Sequence, residues 1–369
     1  MGVLKNIILF MSLSLGIVGL PNVGKSTLFN ALTSSKQADA QNYPFCTIEP
    51  NVGIVEVPDD RLQKISDVSK SKKIIPTAIE FVDIAGLVKG ASVGEGLGNK
   101  FLSHIREVDA IVQVVRAFED GNITHVHNNI DPKEDMEIIN LELIMADLQT
   151  LDKRLENVKK KAKGIALKDA QMEIDLLNRL KTHLENEKPA RELEYNDDEL
   201  VIIRDLHLLT CKPMMYVVND NEQLAAQTEQ VDFVNNEITI HVCAKLEAEL
   251  AELSKEDAKD YMKELGIEQS GLDKIILTGY KLLDLITYIT SGEIETRAWT
   301  VKANTTAPKA AAVIHTDFEK GFIKADVTKW QDFVEYNGWN GVKENGKMQL
   351  VGKDYIVKDG DVCYFHVST

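Results

Sequence analysis

Cysteine is scarce in this chain of 369 residues, which contains only Cys46, Cys211, Cys243 and Cys363. These cysteines are far apart and have no CxxC spacing, which argues against a zinc cage or a disulfide framework and favours a reducing compartment. Basic residues are also fewer than acidic ones: the chain has 42 Lys and Arg against 58 Asp and Glu, which gives a net charge of −16. This balance excludes a surface that is basic throughout, but it permits a local basic stripe for nucleic acid.

Long apolar runs are missing as well. No run reaches the roughly 18–20 residues that a membrane span needs, so we expect a cytoplasmic protein without a membrane partner. Residues 1–11 are interpreted as an N-terminal extension, because no small-residue cleavage site precedes the first motif. The composition is 44% hydrophobic and 27% charged, as in folded chains, and 369 residues suit two or three domains.

Short apolar strands alternate with helical patterns along much of the chain. The first strand is predicted at 14–18, and a glycine-rich loop and a helical stretch at 25–32 follow it. This alternation predicts an α/β nucleotide-binding fold with a mostly parallel sheet that is covered on both faces. The other predicted buried strands lie at 51–57, 77–82, 110–115, 213–218 and 237–242.

A long helical stretch interrupts the alternation between about 135 and 209. Its apolar residues recur at heptad spacing, which predicts an antiparallel coiled-coil hairpin inserted into the α/β domain; two ordinary packed helices are the alternative. Gly164 is predicted to end the first helix. The first helix contributes Leu141, Ile144, Leu148, Leu151, Leu155, Val158, Ala162 and Ile165, and the second contributes Ile174, Leu177, Leu180 or Lys181, and Leu184.

The predicted secondary-structure pattern changes again near the end of the sequence. Short β-like pieces at 311–315, 321–325, 355–357 and 362–367 alternate with turn signals such as Asp359-Gly360. These pieces predict a small separate α+β domain. The predicted domain organisation is therefore a G domain in two parts, 12–134 and 210–286, a helical insertion at 135–209 and a C-terminal domain at 287–369.

The segment Gly19–Ser26 fits the pattern GxxxxGK[ST] of a P-loop. It follows a predicted strand and opens a helix, which is the context that this motif requires; a merely glycine-rich turn is the alternative. Its backbone N–H groups and the helix N-terminus attract phosphate, Lys25 reaches the β- and γ-phosphates, and the Ser26 hydroxyl binds Mg²⁺. The predicted nucleotide-binding residues here are Asn22, Val23, Gly24, Lys25, Ser26 and Thr27.

A DxxG motif, Asp83 to Gly86, stands at the end of another apolar strand. Asp83 is predicted to hold the magnesium shell, and the Gly86 N–H is predicted to meet the γ-phosphate. Thr47 lies between the two motifs and is the third predicted magnesium ligand; a solvated loop threonine is the alternative. Five glycines between 86 and 98 suit a segment that becomes ordered around the γ-phosphate.

The segment Asn219-Asp220-Asn221-Glu222 follows a strand at the place where guanine-reading proteins carry Asn-Lys-x-Asp. The carboxylate of Glu222 is one methylene longer than Asp, and Asp220 replaces the lysine that covers the base. Adenine lacks the N1–H and 2-amino donors that the aspartate reads in guanine, so the change favours ATP. Asn219, Asp220 and Glu222 are predicted to bind the nucleotide, and the amides of Cys243 and Ala244 to edge its base. A GTPase, or a mere strand-ending turn, is the alternative.

One family shares with this chain the motifs GLPNVGKST, NYPFCTIEPNVG, DIAGLVKGASVGEGLGN, NDNE, RAWT and IHTDFEKGFIKADV. From about residue 12 to 369 the chain is similar to the YchF-type Obg-like ATPases, which are P-loop proteins of the translation-factor class. The resemblance implies a C-terminal TGS domain of β-grasp fold, hydrolysis of ATP in preference to GTP, and binding to the ribosome, with the large subunit expected, or to other translation components.

The resemblance also bears on catalysis. Related GTPases carry a Gln after DxxG to orient the attacking water, but this chain has Leu87 there, which predicts slow intrinsic hydrolysis. In several relatives a His on the strand at 110–115 is the substitute, and here Gln113 occupies that strand. Lys25 and Gln113 are the predicted catalytic residues. Gln113 is able to orient water but not to act as a base, and His104 is a weaker replacement.

Two further ligands are predicted, a monovalent cation and RNA. In related P-loops, an Asn at the place of Asn22 helps to hold a monovalent cation such as K⁺; a loop-shaping hydrogen bond is the alternative. Residues 151–168 carry seven Lys or Arg against two carboxylates. This stripe, Lys153 to Lys168, is predicted to contact RNA phosphates, and a solvated helix face is the alternative. An adaptor whose hydrolysis is incidental is the alternative function.

Overall fold

A computed structural model describes residues 13–35, 37–38, 51–85, 97–118, 130–161, 167–222, 232–234 and 237–368. The predictions for residues 1–11, Thr47, Gly86, Leu87 and Gly164 lie outside these ranges. The chain forms two units. We call residues 14–32 and 81–272 the P-loop unit, and residues 1–13, 33–80 and 273–369 the C-terminal unit. The predicted domain boundaries do not coincide with this division, because 33–80 joins the C-terminal unit.

The described helices and strands follow one another as the alternation predicts. In chain order they are β1 (Ser14–Gly19), α1 (Lys25–Ser35), β2 (Val52–Glu56), α2 (Arg61–Ser69), β3 (Lys73–Ile75), β4 (Ala78–Asp83), α3 (Leu97–Glu107), β5 (Ala110–Arg116), α4 (Pro132–Lys161), α5 (Leu167–Glu185), α6 (Asp197–Leu206), β6 (Met214–Asn219), β7 (Asp232–Val234), β8 (Glu237–Val242), α7 (Ala244–Glu252), α8 (Lys255–Glu264), α9 (Gly271–Leu282), β9 (Leu285–Ser291), β10 (Glu295–Lys302), α10 (Ala307–Ile314), α11 (Thr316–Gly321), β11 (Phe322–Lys329), α12 (Trp330–Glu335), α13 (Trp339–Glu344), β12 (Gln349–Val351) and β13 (Asp361–Val367).

The sheet of the P-loop unit has the strand order β4-β1-β5-β6-β8-β7. β1, β5, β6 and β8 pair in parallel, whereas the short β7 pairs antiparallel with β8. Every residue of β1, β5 and β6 is buried, as expected for central strands covered on both faces. The prediction of a mostly parallel α/β sheet is confirmed. The carboxyl ends of β1, β6 and β8 lie at one edge of the sheet, where the predicted nucleotide-binding segments begin.

Two long helices of the P-loop unit share an apolar core. Asp131 accepts the backbone N–H groups of Lys133 and Glu134, and Pro132 occupies the first turn, so α4 has a sharp start. Arg154 pairs with Glu173, and Asp152 pairs with Lys181, so partners fall along α5 as they rise along α4 and the helices run antiparallel. The core contains Ile144, Leu151, Leu155, Leu176, Leu177, Leu180 and Leu184, with Ile203 and Leu206 of α6.

The heptad prediction is wrong at one position and settled at another. Leu141 is 39% exposed, because the apolar core that α4 shares with α5 begins at Ile144. Leu180 is buried, whereas its alternative Lys181 extends outward to Asp152. Helix α6 also packs into this core, so the seam is not closed by two helices alone.

The C-terminal unit contains a second sheet, with the strand order β12-β11-β13-β9-β10-β3. Its core packs Tyr288, Val301 and Phe322 against the alanines of α10. The β-like piece predicted at 311–315 is wrong, because those residues end helix α10 and its cap. Pro308 in the first turn and a run of buried alanines favour the helix. The piece predicted at 355–357 is reduced to a single bridge from Thr306 to Ile356.

The segment 51–80 joins the C-terminal unit through a strand and a helix. β3 pairs in parallel with β10, and Leu62 and Ile65 of α2 pack against Ile289. The guanidinium of Arg61 donates to Asp59 and Asp359, which ties α2 to the turn before β13. Over the described ranges, no helix is long and apolar enough to cross a membrane.

Candidate functional site

A cavity of about 1250 Å³ lies in the P-loop unit, at the carboxyl ends of β1, β6 and β8. Such an edge of a parallel sheet is the usual place for a ligand in α/β folds. Most of the predicted nucleotide-binding residues come together here. The lining consists of Leu20, Pro21, Asn22, Gly24, Lys25, Ser26, Thr27, Phe118, Asn219, Asp220, Asn221, Glu222, Cys243, Ala244, Lys245, Ala248, Glu249 and Glu252.

The P-loop depends on two glycines. A Cβ on Gly19 would stand 2.7 Å from the Val114 carbonyl oxygen, and one on Gly24 would stand 2.2 Å from the Asn219 amide nitrogen. Gly24 also has φ +94°, a conformation that side-chain-bearing residues rarely adopt. Asn22 has φ 66°, which asparagine tolerates better than most residues. The backbone therefore approaches both the sheet and the cavity more closely than a side chain would permit.

The predicted phosphate ligand and a predicted metal ligand lie in direct contact. The Lys25 ammonium donates to Asp83 Oδ1 at 2.5 Å, and the two side chains are 10% and 19% exposed. Asp83 is the last residue of β4, and Lys25 is the first residue of α1. Ser26 and Thr27 line the cavity beside them. Asp83 is not among the lining residues, but its carboxylate is held by Lys25, which is one of them.

Asn219 links the two halves of the cavity. Its side-chain N–H donates to the Val23 carbonyl oxygen at 3.0 Å, and its Oδ1 accepts the Ala244 N–H at 3.0 Å. Asn219 is 4% exposed, so both bonds are shielded from water. Val23 is fully buried and contributes through this carbonyl instead of lining the cavity. One amide side chain thus fixes the P-loop relative to the loop that begins α7.

The base side of the cavity carries two carboxylates. Asp220 is held by His241 and by the Asn221 N–H, and Glu222 lies 3.8 Å from the ammonium of Lys245. Glu222 is 47% exposed and Lys245 is 77% exposed, so this pair is at the rim. Cys243 is buried, and burial raises the pKa of its thiol. The neutral thiol and the Ala244 backbone therefore form an apolar and amide surface at the edge of the cavity.

Phe118 is a lining residue that the sequence analysis missed. The Arg116 guanidinium stacks 4.4 Å from the centre of its ring, and Arg116 Nε–H donates to the Phe118 carbonyl oxygen at 2.9 Å. Arg116 is 1% exposed, so it is a buried support for the aromatic ring. The available signal was an aromatic residue two positions after the end of β5, at the same sheet edge as Asn219. An aromatic face suits a planar base.

Gln113 lies on β5 but not on the lining of the cavity. It is fully buried, and its side-chain N–H donates to the carbonyl oxygen of Asp135 on α4 at 3.1 Å. The structure therefore places this amide under α4, where it bonds the helix backbone. His104 of α3 has a side chain that is 55% exposed and lies 3.8 Å from Glu107. Neither contact involves a lining residue.

The oxygen ligands available suit magnesium. A hydroxyl of Ser26 and a carboxylate of Asp83 are hard oxygen donors, which Mg²⁺ prefers, and such sites take only one or two protein ligands beside phosphates. Within the described part of the chain, no group of three His, Cys, Asp or Glu could hold a metal by itself. The donor set therefore fits a metal that arrives with phosphate oxygens.

The sequence as a whole is similar to proteins that carry one family name. A family model described as 50S ribosome-binding GTPase matches residues 14–160, and one called YchF-GTPase_C, a protein of unknown function (DUF933), matches residues 285–368. A Bacillus subtilis protein named ribosome-binding ATPase YchF is 54% identical, over 97% of this chain and 100% of that protein. The chain belongs to the YchF family.

Other YchF relatives agree in sequence and in structure. An Escherichia coli O157:H7 protein of the same name is 51% identical, over 96% of this chain and 99% of that protein. The solved structure of the Schizosaccharomyces pombe YchF GTPase is 40% identical and has a TM-score of 0.86, covering 96% of this chain and 98% of that one. The YchF fold therefore extends over nearly the whole sequence.

Proposed function

We propose that this protein is a magnesium-dependent ATPase that hydrolyses ATP slowly, prefers ATP to GTP and acts at the ribosome. The main observation that supports this proposal is the cavity beside the P-loop. There the Asn219 side chain forms hydrogen bonds with the Val23 carbonyl oxygen of the P-loop and with the Ala244 N–H. The names of the bacterial YchF relatives, ribosome-binding ATPase, support the same activity and partner. Ribosome binding in turn supports the predicted cytoplasmic location.

The phosphate side supplies the chemistry of binding. The backbone amides of residues 22–27 and the start of α1 attract the phosphates, and Lys25 exchanges its contact with Asp83 for the β- and γ-phosphates. Ser26, Asp83 and Thr47 would hold Mg²⁺, which neutralises charge on the phosphate oxygens when it is bound. Gly86 is proposed to donate its N–H to the γ-phosphate. The 2.5 Å contact supports this change of partner for Lys25, because it places the phosphate-binding ammonium directly beside the carboxylate that would hold Mg²⁺.

The base side supports adenine. Guanine readers accept two hydrogens of guanine on an aspartate, and this chain offers the longer Glu222 at the rim and Asp220 tied to His241. Phe118 offers an aromatic face, and Cys243 and Ala244 offer an apolar edge with backbone amides. None of these groups reproduces the aspartate that accepts two hydrogen bonds from guanine, so we expect no preference for GTP over ATP.

Slow turnover follows from the residues near the reacting phosphate. Lys25 stabilises negative charge there, but Leu87 replaces the glutamine that orients water in related proteins. Gln113 is the proposed substitute, and its present bond to Asp135 requires a change of rotamer or of α4 before it reaches water. We also propose that Asn22 helps to hold K⁺. Replacing KCl with NaCl should then lower turnover without changing ATP affinity.

The finer domain assignment is also proposed. The antiparallel ion pairs of α4 and α5 support a coiled-coil insertion at 135–209 between G-domain segments 12–134 and 210–286. The mixed sheet and α10 support a β-grasp TGS domain at 287–369. The family model that ends the chain begins at 285, close to this boundary.

The hairpin is the proposed RNA contact on the ribosome, and the similarity to the 50S ribosome-binding GTPase family model favours the large subunit. Lys153 and Lys159 are exposed on α4, and Lys160 is exposed but paired with Glu156 at 2.6 Å. Lys159→Glu with Lys160→Glu should weaken ribosome co-sedimentation several-fold and flatten its salt dependence. Lys259→Glu with Lys263→Glu, on exposed positions of α8, is the matched control and should change neither.

Titration calorimetry with ATP and GTP in magnesium tests the central proposal. We expect tighter ATP binding, and Lys25→Ala should weaken it about 100-fold because a charge-assisted contact to phosphate is lost. GTP binding that is tenfold tighter than ATP binding would establish the second candidate, a GTPase. The names of the 50S ribosome-binding GTPase family model and of the S. pombe YchF GTPase favour this candidate. A variant that binds ATP without hydrolysis yet keeps full cellular function would favour the adaptor.

A further inference from the structure

The second residue of the NDNE loop is held by a histidine from the neighbouring strand. Asp220 Oδ2 lies 3.2 Å from His241 Nδ1, and the two side chains are 8% and 22% exposed. The other carboxylate oxygen, Oδ1, accepts the Asn221 N–H at 3.1 Å. The Asp220 N–H donates to the Val242 carbonyl oxygen at 2.7 Å. Both oxygens and the backbone of Asp220 are therefore fixed to β8 or to its own loop.

The placement of this pair follows from strand register. β6 and β8 run parallel, with Val218 opposite His241 and Asn219 opposite Val242. His241 therefore lies beside the end of β6, two residues before Cys243 on the cavity wall. Asp220 lines the cavity, whereas His241 is not among its lining residues. The histidine thus acts on the cavity through the carboxylate and not by touching a ligand.

An unpaired carboxylate at this position would damage an ATP site in two ways. It would leave a nearly buried carboxylate without its hydrogen-bond partner on β8, at the wall of a cavity that receives a polyanion. It would also become free to accept N–H donors, which is how aspartates read guanine. A hydrogen bond from the His241 imidazole removes both effects, because it satisfies the carboxylate and holds it against β8.

The other charged groups on this wall do not replace His241. Glu222 and Glu249 are also acidic, and both lie 3.8 Å from Lys245, which is 77% exposed at the rim. Solvent screens those rim contacts, whereas the nearly buried Asp220 is shielded from solvent. The structure thus gives Asp220 a dedicated partner on β8.

We propose that His241 is a positioning residue that keeps the Asp220 carboxylate bound to β8 and so sets both the affinity for ATP and the discrimination against GTP. The inference rests on the proposed nucleotide site. Without His241, the carboxylate is released from β8, so it is able to turn toward the bound nucleotide, where it disfavours the polyanion and offers guanine an acceptor. ATP binding weakens, and the preference for ATP over GTP falls. The chemical step itself does not involve His241.

Steady-state kinetics and calorimetry on the full chain test this role. His241→Ala should raise the KM for ATP about tenfold, while kcat stays within twofold, because a nearly buried charge loses its partner. The ratio of GTP to ATP affinity should rise in the same variant. His241→Asn places an amide N–H near the position of Nδ1 and should restore the KM to within about twofold of the parent.

Asp220→Asn combined with His241→Ala separates charge from shape. Because the amide carries no charge, removing His241 should raise the KM less in this background than in the parent, and the difference measures the coupling. His366→Ala is the matched control: His366 pairs with Asp326 at 2.8 Å in the C-terminal unit and is 34% exposed. It should leave the KM for ATP unchanged.

The outcomes separate cleanly. An unchanged KM in His241→Ala overturns the inference, and so does a fall in kcat and thermal stability that His241→Asn shares, since that pattern marks a merely structural residue. If Lys25→Ala retains ATP affinity, the proposed nucleotide site fails and the inference falls with it. If Lys25→Ala loses ATP affinity but His241→Ala does not, the site stands and only the role of His241 is overturned.

Discussion

The two halves of the cavity hold their shape by different means. The phosphate half is made of backbone, and its geometry depends on glycines whose missing side chains bring the chain close to Val114 and Asn219. The base half is made of side chains, with Asp220 held by His241 and Glu222 near Lys245. Asn219 belongs to both halves, because it bonds Val23 on one side and Ala244 on the other.

This difference separates a general function from a specific one. Backbone amides and a helix N-terminus bind any phosphate chain, so the phosphate half has little power to choose between nucleotides. Side-chain charge and length decide which base is accepted, so specificity is concentrated in the loop 219–222 and its partners. Substitutions in the phosphate half should therefore abolish binding of ATP and GTP alike, whereas those in the base half should change their ratio.

Gly24→Ala should have the largest effect. The new Cβ would meet the Asn219 side chain at 2.2 Å, and φ +94° strains any L residue. We expect about 100-fold weaker binding of both nucleotides and about 2–3 kcal/mol lower stability, from strain and a displaced buried amide. Calorimetry and urea unfolding measure the two effects.

Gly266→Ala is the control for Gly24. Gly266 has φ +72°, but no atom of the described residues lies within 4 Å of the place that a Cβ would take, so this position shares the strain without the clash. Its stability should fall by about 1 kcal/mol while nucleotide affinity stays unchanged. Equal losses of affinity in both variants would show that backbone strain, and not the close approach to Asn219, controls the phosphate half.

Asn219→Ala should have the next largest effect. It leaves the Val23 carbonyl and the Ala244 N–H without the Asn219 amide in a buried place, at a cost of about 2–4 kcal/mol. ATP and GTP affinity should both fall at least tenfold, because both halves lose their link. Asn140→Ala is the control. The Asn140 amide donates one hydrogen bond of 2.8 Å to the Tyr216 hydroxyl, and neither residue lines the cavity. A change of base preference without loss of affinity would contradict the linking role.

The sequence predicts the phosphate half well and the base half less well, for a physical reason. The P-loop and the buried strands depend on local spacing and on apolar runs, which are visible in one stretch of chain. The pair of Asp220 and His241 depends on the register of two strands, and Phe118 enters the cavity because β5 lies beside β6. Contacts across strands are fixed by tertiary pairing, which no single motif reveals.

The same reasoning explains the errors outside the cavity. The run at 311–315 is too short to separate helix from strand by periodicity, and Pro308 and the neighbouring alanines decide for α10. Leu141 fits the heptad but is exposed, because the core that α6 joins begins later in α4. Residues close in the sequence decide the first case, whereas packing partners far along the chain decide the second.

Glu222→Asp sharpens the comparison at the level of selectivity. It restores the carboxylate length of guanine readers, so GTP affinity should rise about threefold relative to ATP while the phosphate contacts are kept. The gain is small because Asp220 still replaces the lysine that covers the base. Glu249→Asp is the control, since Glu249 makes the same 3.8 Å contact to Lys245 from α7. Competition between the two nucleotides measures the ratio.

Lys245→Ala should have the smallest effect. Its ammonium is 77% exposed and lies 3.8 Å from both Glu222 and Glu249, so solvent and salt screen both contacts. Exposed pairs of this kind contribute about 0–1 kcal/mol, so ATP affinity should change less than about threefold. Titrations at low and high salt measure it, and the small difference should vanish at high salt. A tenfold loss that survives high salt would mean that Lys245 touches the nucleotide, and the base half would then contain a cation in direct contact with its ligand.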